Sequence, residues 1–187
     1  MSEAMESYAD VLPTVLKQAT PGAYAAAPNA VLQGLFLAPE GSLEQKHALG
    51  CLQHLLLGRR EKLWALSTAT VPPQQLVQHI QGSVWGAVRL RDEALLRLLV
   101  NVLQVLAQAL LPCLEESEIV ELLQESDEDR DAVGAAGWAA EGKQAALVCL
   151  QLLLVQLAGS AAVPSLIRGL ALEVSYCVSA QQQGWVA

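Results

Sequence analysis

The sequence predicts an all-α protein of stacked antiparallel helices. Three observations carry this. Leu, Ala and Val supply most of an apolar fraction of 53%, while aromatics make up 4%; Leu and Ala are strong helix formers. No segment keeps a period-two alternation of β-branched and polar residues, the mark of a half-buried strand. Pro and Gly punctuate the apolar runs at helix-length intervals.

Taken in order, a first helix is expected over Glu3 to Ala19, with Pro13 kinking or dividing it. Thr20-Pro21-Gly22 reads as a break. Pro28-Asn29 is expected to open a short apolar helix to Leu37, with Pro39 beyond its end. Ser42 and Gln45 form a capping box, in which two orphan helix amides are satisfied reciprocally. The helix they open runs to Leu57, with Gly58 as its C-cap. Glu61 to Thr68 is a further short helix, stopped by Val71-Pro72-Pro73 because a residue before proline is pushed out of the helical region.

Gln74 to Trp85 is the next helix. Arg89 to Cys113 is the longest and most apolar one. Its polar residues Arg97, Asn101, Gln104 and Gln108 form one narrow stripe, so the rest of its circumference is expected to be buried. Ser117 can cap a helix to Gln124, with Glu118 and Glu121 near its positive end. Residues 125–137 read as an acidic loop. Lys143 to Leu157 and Pro164 to Ala180 are the last two helices, the proline sitting in a first turn.

With 187 residues, the chain fits a single domain, 1–187, that needs no disulfide or metal to bury most of its surface. The net charge of -8 comes from nineteen acids against eleven basic residues. Binding nucleic acid depends on Lys and Arg neutralising phosphates, so no nucleic acid is expected as partner; an anionic membrane surface is disfavoured for the same reason. Met1-Ser2-Glu3-Ala4-Met5-Glu6 is acidic where a secretory signal is basic. Leu98 to Leu114 is the most membrane-like stretch, but Asn101, Gln104, Gln108 and Pro112 interrupt it, so no membrane span is expected. Cys51, Cys113, Cys149 and Cys177 lie far apart within apolar runs, the pattern of buried thiols in a reducing compartment. A cytoplasmic or nuclear location follows as the expectation.

The sequence also resembles itself. Ala48-Leu49-Gly50-Cys51-Leu52-Gln53-His54-Leu55-Leu56 matches Ala146-Leu147-Val148-Cys149-Leu150-Gln151-Leu152-Leu153-Leu154 at seven of nine positions, offset by 98. Each copy follows a Glu-Gly pair (Glu40-Gly41, Glu141-Gly142) and precedes a Val-Pro pair (Val71-Pro72, Val163-Pro164). This suggests an internal repeat over 40–90 and 141–180. The helix–break–helix pattern, together with these Ala-Leu-x-Cys-Leu-Gln-x-Leu-Leu segments, resembles the HEAT and armadillo helical-repeat families across Ser42 to Ala180. The resemblance implies a HEAT/armadillo-like superhelix, built to hold protein partners. Departing from it, no Asp and Arg fall at the set positions that HEAT repeats carry. A compact irregular helical bundle with coincidental Leu-Gln pairs is the alternative. Solenoid ends need polar caps, and the last helix is apolar, so the chain is expected to be a fragment or short isoform of a longer solenoid or to bury that end against a partner.

No motif for catalysis or for a cofactor emerges. Glu44, His47, Cys51 and His54 share a helix stripe, but His47 and His54 stand about 10 Å apart along it at a 1.5 Å rise per residue, too far for one ion. Asp127-Glu128-Asp129-Arg130-Asp131 begins like a calcium loop, yet Ala132 and Trp138 occupy the positions that need Gly and Glu. Three Leu-x-x-Leu-Leu segments, at Leu52, Leu95 and Leu150, fit a helix-in-groove box, and equally a helix core face. No phosphate loop or nucleophile elbow occurs. The chain is therefore expected not to be an enzyme and to need no cofactor or metal. Its expected role is a protein–protein interaction scaffold or adaptor of an intracellular complex, the alternative being a compact regulatory bundle for an apolar ligand or partner helix. Candidate contacts are Trp138 and Trp185, since Trp is enriched among interface anchors, with Asp127, Glu128 and Asp129 to steer partners bearing basic surfaces. Ser126, followed by Asp-Glu-Asp, fits an acid-directed phosphorylation site.

Overall fold

A computed structural model describes residues 21–57, 70–111 and 140–183. These form six helices: α1 (Pro21–Leu37), α2 (Leu43–Leu57), α3 (Pro73–Leu90), α4 (Glu93–Leu110), α5 (Ala140–Gly159) and α6 (Ser165–Gln183). No strand occurs among the described residues. The chain is all-α.

The elements differ from expectation mainly at their ends. α1 starts at Pro21 rather than Pro28. Proline suits a first helical turn, where its missing N–H would have had no intrahelical partner. Pro21 thus opens the helix instead of breaking the chain, and Pro28 lies inside it. α3 continues through Gly86 to Leu90, and α4 begins at Glu93 rather than Arg89. The expected helices over 3–19, 61–68 and 117–124, the Gly58 cap and the 125–137 loop lie outside the described residues.

α4 is the axis of the packing. It lies against α2, α3, α5 and α6; α1 covers α2, α3 packs on α5, and α5 and α6 form a hairpin. Leu95, Leu96, Leu99, Val100, Val102, Leu103, Val105, Leu106, Ala107, Ala109 and Leu110 are all buried. Arg97, Gln104 and Gln108 are exposed and Asn101 is half-buried, so the polar stripe read from the sequence is the helix's one wet edge. An amphipathic pattern with so narrow a polar arc requires neighbours on several sides, and four other helices supply them.

Two junctions fix the register of these helices. Before α2, Ser42 Oγ accepts from the Gln45 N–H at 3.1 Å. The return half of the capping box is displaced by one residue: Gln45 Oε1 accepts from the Gly41 N–H at 2.8 Å, not from Ser42. Gly41 sits at φ 72°, the left-handed region that glycine enters without strain. Between α3 and α4 the turn is two residues long. Arg91, at φ 54°, is left-handed; its N–H donates to the Val88 carbonyl at 3.2 Å and the Asp92 N–H to Ala87 at 3.0 Å. That bond pair is a Schellman stop. Asp92 then caps α4, its Oδ1 accepting from the Leu95 N–H at 2.9 Å.

The two self-similar segments fall on α2 and α5, and both helices touch α4. Leu49, Leu52, Leu55 and Leu56 are buried, as are Leu147, Leu150, Leu153 and Leu154. The matching positions are therefore the core-facing ones. Their surroundings differ: α5 forms a hairpin with α6, whereas α2 is covered by α1. Each Val-Pro pair starts its helix alike. The Pro72 carbonyl accepts from the Leu76 N–H at 3.2 Å, and Pro164 from Arg168 at 3.0 Å.

Candidate functional site

The residues singled out as partner contacts, Trp138, Trp185, Asp127, Glu128 and Asp129, and the Ser126 phosphorylation candidate all lie outside the described residues. So do Trp64 and Cys113. Trp85 is half-buried and packs against the core. The Leu-x-x-Leu-Leu segments are core faces: Leu52, Leu55, Leu56, Leu95, Leu99, Leu150, Leu153 and Leu154 are buried, which leaves them no surface to offer a receptor groove.

The Glu44–His54 stripe runs along the boundary of α2. Glu44 and His54 are exposed, His47 and Cys51 half-buried. Burial pushes the Cys51 thiol above its ordinary pKa, which disfavours the thiolate a metal would need. The Glu44 carboxyl is held below its ordinary value, first by a backbone amide and then by Ser42. No group of three His, Cys, Asp or Glu side chains among the described residues is placed to hold a metal ion.

A polar network stitches α2 to its neighbours. Gln45 is only 1% exposed. While its Oε1 serves Gly41, its Nε2 donates to Ser83 Oγ on α3 at 2.9 Å, and Ser83 in turn donates to the His79 carbonyl at 3.2 Å. His79 Nε2 lies 3.2 Å from the Leu35 carbonyl at the end of α1, and its ring stacks on Phe36 with centroids 4.3 Å apart. Lys46 Nζ meets Asp92 Oδ2 at 2.7 Å. Every one of these groups has a structural partner, and the set holds α1, α2, α3 and α4 together.

The outward face of α5 is different. Its inward residues, Ala146, Leu147, Leu150, Leu153, Leu154 and Leu157, are buried. On the opposite side Val148 is 46% exposed and Leu152 and Val155 are each 59% exposed. These fall at i, i+4 and i+7, one stripe of a helix. Gln144, Gln156 and Gly159 are the other exposed residues among the described side chains of the helix, and residues 144–167 contain no Asp, Glu, Lys, Arg or His. The chain matches no family model, no curated protein and no solved structure. α6 adds exposed Leu166, Leu172 and Tyr176 beyond the α5 face.

Sequence reasoning missed this face, although the self-match contained the signal. The two mismatched positions of nine are Gly50 against Val148 and His54 against Leu152. Both point away from the core, and in α5 both are apolar. Two helical segments, Glu93–Leu110 and Gly142–Gly159, are long and apolar enough to cross a bilayer by length and composition alone, as core helices of globular proteins also are; 61% of the first and 33% of the second is buried within the protein. For α4 the apolar circumference is used by other helices. For α5 one face is used, and no other described helix covers the opposite one.

Proposed function

We propose that the chain is a non-catalytic protein-binding module, a scaffold or adaptor within a cytoplasmic or nuclear complex. The observation that supports this is the outward face of α5, where Val148, Leu152 and Val155 stand exposed on a helix whose other side is in the core. Isolated exposed leucines are ordinary; a stripe of three on an uncharged helix surface is the pattern of a contact for another protein. A partner helix with its own apolar stripe would lie along it. Nine of the chain's nineteen acids fall between Glu115 and Asp131, and they would steer a partner bearing basic patches without carrying the contact itself.

The HEAT/armadillo-like superhelix and the compact bundle share the contacts of α4 and differ in overall shape. In a solenoid each helix-pair unit touches only its neighbours in sequence; taken as α1–α2, α3–α4 and α5–α6, the helices obey that rule, α4 meeting α2 of the preceding pair and α5 and α6 of the following one, and three pairs are also few enough to close into a compact bundle. Small-angle scattering tests the shape: a compact chain of this length has a radius of gyration of about 16 Å, and an elongated profile would favour the superhelix.

The binding reading is tested by cross-linking the full-length chain in cells, wild type beside Leu152→Glu and Leu172→Glu. Partners cross-linked through α5 should be lost from the Leu152→Glu variant and kept by Leu172→Glu. Equal recovery from all three proteins would refute the assignment of the face.

A further inference from the structure

We draw no further inference here: the strongest candidate, the stripe of Arg168, Leu172 and Tyr176 along the surface of α6, where the Arg168 Nε is buried with no acceptor among the described residues and Leu172 and Tyr176 stand exposed, carries nothing, because nothing in the structure shows what covers it.

Discussion

At the scale of single residues, Gln45 and Asp92 do more than their sequence context discloses. Gln45 was legible as half of a capping box. Its burial and its bond to Ser83, 38 residues away, were not, because they depend on how α3 crosses α2. Substituting Gln45 by Leu strands the Gly41 amide and removes the partner of Ser83 Oγ. An unsatisfied buried polar group costs about 1–3 kcal/mol. The expected result is a fall in thermal midpoint of several degrees, read by circular dichroism. Asp92 caps α4 and also pairs with Lys46. Its carboxyl is held below its ordinary value of 3.8, chiefly by the Lys46 side chain and then by the Leu95 amide. The depressed folded value means that the unfolded chain binds the proton more readily. The contribution of Asp92 to stability is therefore complete above pH 3.8 and is lost as pH falls through the folded value. Asp92→Asn should keep much of the cap, lower stability at neutral pH, and flatten the acid limb of the stability profile. Urea titrations of both proteins at several pH values measure the difference, and parallel curves would contradict the assignment.

At the scale of the helix, α5 divides cleanly into two faces with different tasks. Leu150 is fully buried and Leu152, two residues on, is 59% exposed. Leu150→Ala should cost about 2–5 kcal/mol, as truncation of a buried leucine leaves a cavity. Leu152→Ala should change stability by no more than about 0.5 kcal/mol, the range for surface positions away from special features. Denaturant unfolding monitored by tryptophan fluorescence separates the two. α4 shows the contrasting case. Its polar stripe of Arg97, Asn101, Gln104 and Gln108 was visible in the sequence, and so was the burial of everything else. Its starting point was not. Arg91 occupies a left-handed position that sequence rules reserve for Gly or Asn, so the stop between α3 and α4 carried no ordinary signal beyond the capping preference of Asp92.

At the scale of the molecule, the packing around α4 predicts a gradient of local stability. Helices whose amides are locked by burial on several sides open only with global unfolding, and peripheral ones open at lower free energy. α4 should hold the slowest-exchanging amides. α6, where among the described side chains Ile167, Ala171, Val174 and Val178 are buried along one narrow edge, should exchange faster. Native-state hydrogen exchange by NMR tests the order, and α6 amides as protected as those of α4 would show that the periphery is tied down by contacts beyond the described ones.

What the sequence settled by itself was the all-α class, the two-faced character of the helices and the identity of the central one. Those follow from residue types and their spacing along a single helix, which are local quantities. Tertiary structure decided which apolar residues remain outside. Val148 and Leu152 read like any other member of a leucine-rich run, and only the placement of α3, α4 and α6 on the opposite side of α5 turned them into surface. Burial depends on neighbours distant in the chain, so a run apolar all round names no free face until those neighbours are in place.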